Sequence, residues 1–240
     1  MYVGGDGGIF QPIFELNDET LPAAELYVSS SDISIRRSLV TDRQHWTWRW
    51  QDEREDRSPI WDDPDFLYDT AAGSRHIYTS AIYPHFHLDH RFPLGTIRSM
   101  HFSEAVQGHF EDSTSWLDTF SAQCLKVERL SFAFVDSYTL LSALSLPDAG
   151  HTHSEGDGMF RLFPQLKVLV IHGGSACGPT NGDTTAIDEH RVARDVSMIY
   201  LLEARREAGW PIEELLVDRA LKGWSVLGNV GEEVTLSYFD

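Results

Sequence analysis

The sequence predicts an α/β fold in which short buried strands alternate with helices and form a largely parallel sheet, preceded by an irregular N-terminal segment. Residues 166–171 are a short apolar run rich in β-branched side chains and closed by Gly173 and Gly174, as in a strand buried on both faces. Similar runs recur near residues 97, 127 and 212, at intervals of about thirty to fifty residues. The segments between these runs have apolar residues at the spacing of a helix. Strand, helix and strand in succession favour parallel pairing through right-handed crossovers.

Three segments between these runs are predicted to be helices. Two of the predicted helices are short, at residues 115–124 and 137–146, and the second ends before Pro147. Residues 185–208 predict the clearest helix, which Gly209 ends and Pro211 prevents from continuing. The apolar stripe of this helix consists of Val192, Val196, Ile199 and Tyr200. Residues 25–28 and 234–239 are candidates for additional strands.

The chain is predicted to have two parts. Residues 1–75 form an acidic, Trp-rich and mostly irregular N-terminal segment, and residues 76–240 form an α/β repeat-like domain. Within the first part, polar residues 29–32 are expected to cap a short helix that continues to Leu39. Residues 46–50 alternate between Trp and polar side chains, as in a strand with its three indoles on one face.

Charge and cysteine content limit the class of protein. The 240 residues carry a net charge of −18, which repels both nucleic-acid phosphates and anionic lipid, so neither is an expected partner. The N-terminus lacks the basic and apolar regions of a signal peptide, and no apolar run approaches the ~20 residues that span a membrane. Two cysteines are too few for a disulfide framework. A soluble protein of the cytoplasm or nucleus is expected.

Three segments share a turn, an apolar residue, two polar positions and a strand. They are Leu125–Phe132, Phe163–Val170 and Pro211–Val217. This pattern resembles the degenerate leucine-rich repeats of fungal F-box-associated proteins of unknown function. Residues 63–68, 97–100 and 116–117 are similar to the middle of a related fungal "EXR"-type domain. The resemblance covers residues 61–217 and implies an irregular leucine-rich-repeat-like α/β array.

The resemblance also implies a function. It favours a non-enzymatic scaffold that binds another protein and needs no cofactor. An F-box itself would require an amphipathic helical module after a Leu-Pro-x-Glu start. Residues 21–26 have one residue too many for that start, and the residues that follow are polar. A link to ubiquitin ligases is therefore not predicted.

The sequence His85-Phe86-His87-Leu88-Asp89-His90 supports a different function, because it matches the H-x-H-x-D-H motif of metallo-β-lactamase-fold hydrolases. Two imidazoles two residues apart can share one metal, and the adjacent Asp and His can serve a second. That family has a further histidine in a downstream Gly-His-Thr turn, and residues 150–152 have this sequence. The alternative prediction is a zinc-dependent hydrolase with metal ligands His85, His87, Asp89, His90 and His151.

Two features argue against the hydrolase. The pair of small residues expected after the motif is replaced by residues 91–93, Arg-Phe-Pro. A metal-bridging Asp is expected at the end of the strand at residues 166–171, where the chain has His172 and two glycines. The scaffold is therefore the preferred hypothesis. It predicts that this strand pairs in parallel with residues 127–134 and 212–217, and that His172 is an ordinary strand-end residue.

Overall fold

A computed structural model describes residues 24–28, 32–36, 75–78, 94–148, 160–173 and 185–239. The strands in these ranges are β1 (Glu25–Val28), β2 (Asp32–Arg36), β3 (Arg75–Tyr78), β4 (Ser99–Phe102), β5 (Arg129–Ala133), β6 (Val168–His172), β7 (Glu214–Asp218) and β8 (Thr235–Phe239). The α-helices are α1 (Glu104–Gln107), α2 (Ser113–Phe120), α3 (Tyr138–Leu144) and α4 (Thr185–Glu207). Short 3₁₀ turns are formed by Leu94–Thr96, Arg219–Leu221 and Ser225–Asn229.

The described strands form one sheet of eight, in the order β3-β2-β1-β4-β5-β6-β7-β8. Strands β1 and β4 to β8 run parallel to one another, whereas β2 pairs antiparallel with both β1 and β3 at one edge of the sheet. The predicted α/β fold with a largely parallel sheet is confirmed. The predicted pairing of the central strand is confirmed too, because β6 lies between β5 and β7 and is parallel to both.

The parallel strands enter the sheet through one repeated contact. A carbonyl just before one strand accepts hydrogen bonds from two successive N–H groups of the next. The first belongs to the last residue of the lead-in, and the second belongs to the first residue of the strand. The carbonyls of Ala24, Arg98, Glu128 and Lys167 all accept in this way. The strands predicted near residues 97, 127, 166 and 212 each begin two residues before the observed ones, because their lead-ins are apolar and hydrogen-bonded to the preceding strand. The apolar lead-in residues Ile97, Val127, Leu166 and Ile212 are buried in the core, and strand pairing starts two residues later.

The exposed lead-in positions carry alternating charges across neighbouring strands: Arg98, Glu128, Lys167 and Glu213. Both nitrogen–oxygen contacts between Arg98 Nη2 and the Glu128 carboxylate are short, at 2.9 and 2.7 Å. Lys167 Nζ lies 2.9 Å from Glu213 Oε1. The hydrogen bond and the charge of Glu213, with a smaller contribution from Glu128, raise the pKa of Lys167. These positions explain the polar residues in the repeated sequence pattern, since opposite charges lie side by side on adjacent strands.

One large core lies between the sheet and the helices. Alternate strand residues face it, as the two-residue period of a strand requires. One row across the parallel strands consists of Leu26, Met100, Leu130, Leu169, Leu215 and Leu236. Helix α2 adds buried Trp116, Leu117 and Phe120, and Trp116 stacks on Phe110 with ring centroids 3.8 Å apart. The side chain of Asp112 caps this helix by accepting from Ser115 N, at 2.8 Å.

Most of the apolar stripe predicted for α4 does not face the core, and of its four residues Ile199 alone packs against it. Val192, Val196 and Tyr200 are exposed, whereas Met198 and Leu201 are buried. The helix packs on α3 through a side that includes polar residues, and Ser197 Oγ lies 3.1 Å from Ser142 Oγ of α3. An apolar stripe alone therefore identified the helix but not its buried side.

Arg205 is fully buried on α4 and connects three parts of the fold. Its Nε and Nη2 donate to the carbonyl of Leu144 at 3.3 and 3.2 Å, and Nη2 also donates to Leu162 O at 3.0 Å and Phe163 O at 3.1 Å. The guanidinium carbon lies 4.4 Å from the ring centroid of Phe160. Leu144 ends α3, so its carbonyl belongs to the negative end of that helix dipole. Arg205 thus joins α3, α4 and the turn that precedes β6.

The sheet begins within the first 75 residues. Residues 25–28 form the predicted strand, which pairs with β4. The short helix expected through Leu39 is wrong, because residues 32–36 are strand β2. Ile33 and Ile35 alternate with polar residues there, and this two-residue period and the β-branched side chains favour a strand.

Residues 46–50 lie outside the described ranges, and the domain boundary at residue 75 stays a prediction. No helix in the described ranges has the length and apolar character needed to cross a membrane.

Cys124 is predicted to be unreactive in the native state. It follows α2, is 1% exposed, and its burial raises the pKa of the thiol to about 12. The Cys177→Ser variant leaves Cys124 as the one thiol of the chain. Because the thiolate is the reacting species, this variant in its folded state should react negligibly with DTNB at about pH 8. Unfolding in guanidinium chloride should expose one reactive thiol per chain. Rapid reaction of that variant before unfolding would contradict this prediction.

Candidate functional site

The predicted metal ligands lie outside the described residues. His85, His87, Asp89, His90 and His151 all belong to ranges that the structure does not describe. Within the described ranges, no group of three or more His, Cys, Asp or Glu side chains is arranged to hold a metal ion. The zinc site therefore stays a prediction from the sequence.

The described polar cluster lies on the sheet face opposite the large core, which we call the polar sheet face. Its polar members alternate in the strands with the residues that face the helices. They are Glu25, Ser99, His101, Arg129, Ser131, His172 and Asp218. None of these seven residues is more than 6% exposed. Buried groups of this kind need partners, so their hydrogen bonds indicate what the cluster can do.

Four of these residues form one network across β1, β4 and β5. Glu25 Oε1 lies 2.6 Å from His101 Nε2 and accepts a 3.0 Å hydrogen bond from Arg129 Nη2. Ser99 Oγ accepts from Arg129 Nε at 2.9 Å and lies 3.2 Å from the same His101 Nε2. The strand register brings these groups together, because Glu25, Ser99 and Arg129 are direct partners on adjacent strands.

This network lacks the geometry of a serine–histidine–acid relay. In such a relay the acid holds one ring nitrogen while the serine hydroxyl contacts the other. Here Glu25 Oε1 and Ser99 Oγ both lie next to Nε2 of His101, at 2.6 and 3.2 Å. Arg129 also donates to both oxygens, from Nη2 to Glu25 and from Nε to Ser99. The arrangement fastens three strands together and does not prepare Ser99 for nucleophilic attack.

A second polar group lies at the carboxyl ends of β6 and β7. Ser131 Oγ is 2.9 Å from His172 Nε2. The carboxylate of Asp218 accepts from the backbone N–H groups of Gly173 and Ala220, each at 2.9 Å. His172 is thus a buried, hydrogen-bonded strand-end residue and not a surface one. The side chain of Asp218 therefore holds the segments that follow the adjacent strands β6 and β7.

This polar face was not predicted from the sequence. The signal was present as polar residues at every second position of otherwise apolar strands, such as Ser99 and His101 in β4. A two-residue period indicates the side of a strand, but it does not tell which polar residues on different strands are partners. Glu25 and Arg129 are 104 residues apart in the chain, so only the strand order brings them into contact.

The exposed side of α4 carries a different feature, which we call the α4 row: Val192, Val196 and Tyr200. These side chains are 61%, 60% and 55% exposed and four residues apart, so they follow one side of the helix for about 12 Å. Glu203 and Glu207 continue this side for two more turns and are exposed. In the described part of the chain, neither carboxylate pairs with a basic side chain.

A small groove lies beside the C-terminal half of α4, next to the end of the α4 row. The apolar residues that line it are Ile199 and Leu202 of α4, with Ile212, Val226 and Val234 from the segments around β7 and β8. Glu203, Arg206 and Glu233 also line it, and Arg206 Nη1 lies 3.7 Å from Glu233 Oε1. The α4 row and the groove together form an apolar surface with carboxylates at its edge.

Comparisons of the chain with protein-family models, with curated proteins and with solved structures give no match.

Proposed function

We propose that the protein is a non-enzymatic scaffold of leucine-rich-repeat-like architecture that binds another protein. The strand order supports this proposal, because the parallel strands follow one another across the sheet in chain order. The repeated lead-in contact supports it too, since β4, β5, β6 and β7 are each attached to the preceding parallel strand in the same way. Repeat proteins built in this manner present extended surfaces for partners. The resemblance to fungal F-box-associated proteins stays part of this proposal.

The observation that carries the proposal is the α4 row. Three large apolar side chains on one side of a long helix are more than half exposed, and their burial would contribute favourably to association. Among the described residues, the network on the polar sheet face lacks the geometry of a serine–histidine–acid relay, so it does not favour an enzyme over a scaffold.

The scaffold function is tested by capture of binding proteins from an extract of the source organism. We expect the wild-type chain to retain one or more proteins that the triple variant Val192→Ser, Val196→Ser, Tyr200→Ser loses. The matched control is Leu125→Ser, which alters an apolar residue that is 50% exposed and lies outside the α4 row. Equal capture by all three chains would argue against a scaffold that acts through this helix.

The alternative function, a zinc-dependent hydrolase, rests on the sequence His85–His90 and is tested separately. Zinc content per purified chain is measured for the wild type and for His87→Ala. A metalloenzyme would contain at least one zinc per chain and lose it in the variant, since this histidine would be a direct ligand. Substoichiometric zinc that is unchanged in His87→Ala would remove the hydrolase and leave the scaffold.

A further inference from the structure

We infer that the α4 row binds a basic amphipathic helix of another protein. This inference rests on the proposed scaffold function and specifies the chemistry of the partner. The successive positions Val192, Val196, Tyr200, Glu203 and Glu207 are separated by four, four, three and four residues. That spacing keeps them on one side of an α-helix. An apolar segment of the surface therefore continues directly into an acidic one.

The charges around this surface favour a basic partner. Glu203, Glu207, Glu232 and Glu233 are exposed near the C-terminal half of α4 and the start of β8. Arg206 is the basic residue that lines the groove, and it already pairs with Glu233. Lysine or arginine on a bound segment would supply the opposite charges that Glu203 and Glu207 lack in the described structure.

The shape of the surface favours a helix. The α4 row follows α4 for about 12 Å, and the groove lies beside the C-terminal half of the same helix, so a second helix could lie along α4 with its apolar side inward. Helix-in-groove recognition uses apolar anchors at the same three- and four-residue intervals that α4 presents. A partner of this kind would cover Val196 and Tyr200 and bring basic side chains to Glu203 and Glu207.

A second copy of the same chain fits this surface poorly. Each chain carries a net charge of −18, so two copies repel each other before any contact forms. Pairing two α4 rows would bury three apolar side chains from each copy but would give Glu203 and Glu207 no basic partner within the row. A basic helix satisfies both the apolar and the acidic part of the surface.

The probes for the test are two synthetic amphipathic helices of about 15 residues, a length at which isolated helices begin to form. Both have leucine on one side, and the other side carries lysine in one peptide and glutamate in the other. Fluorescence anisotropy measures their binding at about 0.01 M and about 1 M salt, where the Debye lengths are ~30 and ~3 Å. We expect the lysine peptide to bind more tightly, and to bind more weakly at high salt.

Two variants separate the apolar from the acidic contribution. Val196→Ser with Tyr200→Ser should weaken binding of the lysine peptide at least tenfold. Glu203→Lys with Glu207→Lys should reverse the preference, so that the glutamate peptide binds more tightly. Leu125→Ser should bind like the wild type, since it alters an exposed apolar residue elsewhere. Thermal unfolding of every variant should match that of the wild type, because the altered side chains are exposed.

Three outcomes would overturn the inference. The first is equal binding of both peptides, and the second is no binding of either. The third is sedimentation as a dimer that Val196→Ser with Tyr200→Ser dissociates, which would make a second copy the occupant. If the peptides show no charge preference while capture from the extract still depends on the α4 row, the partner chemistry is wrong and the scaffold function stands.

Discussion

Replacing Arg205 with methionine is expected to lower the free energy of unfolding by about 3 kcal/mol, measured by urea denaturation. Methionine retains much of the side-chain volume but removes every donor to the carbonyls of Leu144, Leu162 and Phe163. Phe163 O still accepts from Leu166 N, at 3.0 Å, so the loss is greatest at Leu144 and Leu162. Relief from burying a cation offsets part of that loss.

The adjacent arginine provides the control for this prediction. Arg206 is 52% exposed, and its contact with Glu233 is long, at 3.7 Å. Arg206→Met should therefore change the free energy of unfolding by no more than about 0.5 kcal/mol, as for other exposed ion pairs. Comparable destabilisation by the two substitutions would show that the buried contacts of Arg205 contribute little.

The effect of Arg205→Met should not depend on pH near neutrality. Burial lowers the pKa of Arg205 to about 9. The folded chain therefore releases this proton at lower pH than the unfolded chain, and stability gained from its release appears only as pH rises through about 9. Between about pH 6 and 8 the group is charged in both states, so the difference between variant and wild type should stay constant. A steep change within that range would contradict the assignment.

Replacing Glu25 with alanine is expected to destabilise the protein by roughly 3–5 kcal/mol, because it removes a carboxylate that two buried groups share. Arg129 Nη2 and His101 Nε2 lie 3.0 and 2.6 Å from Glu25 Oε1, and the side chains of both are at most 5% exposed. Without the carboxylate, the buried guanidinium loses its charged partner in this network. Urea denaturation measures the loss.

The exposed pair Arg98–Glu128 is the matched comparison, because it joins the neighbouring strands β4 and β5 through two short contacts. Its side chains are 50% and 33% exposed, so Glu128→Ala should cost less than about 1 kcal/mol. The double variant Glu25→Leu, Arg129→Met should be more stable than Glu25→Ala, since it removes the buried guanidinium together with the carboxylate that it contacts. A double variant at least as unstable as Glu25→Ala would mean that packing, and not charge, dominates at this site.

The sheet could be predicted from the sequence because its strands follow local patterns. Buried Val127, Leu166 and Ile212 each precede a short strand segment rich in apolar residues, and this arrangement depends on neighbours within a few residues. The buried side of α4 could not be predicted in the same way. Arg205 is buried because carbonyls from α3 and from the turn before β6 surround its guanidinium, and these carbonyls are distant in the chain.

The polar sheet face marks a second limit of local patterns. His101 and Ser99 occupy one strand, but their partners Glu25 and Arg129 come from the strands on either side. Choosing these partners requires the strand order and the register, neither of which follows from composition or spacing. The motifs that suggest a scaffold and a zinc site, such as residues 85–90, are short and local, whereas the network joins strands that are distant in the chain.

Strand pairing in the parallel part of the sheet is one-dimensional, because these strands lie in chain order. Each parallel strand interacts mainly with the strands before and after it, so the sheet can lose strands from an end while the centre stays paired. Strand β8 has one described neighbour, β7, and is the natural place for such fraying. The groove beside α4 is lined partly by Val234, directly before β8. Occupation of that groove and opening of this end of the sheet are therefore linked equilibria, and a bound partner would shift the end towards its paired state.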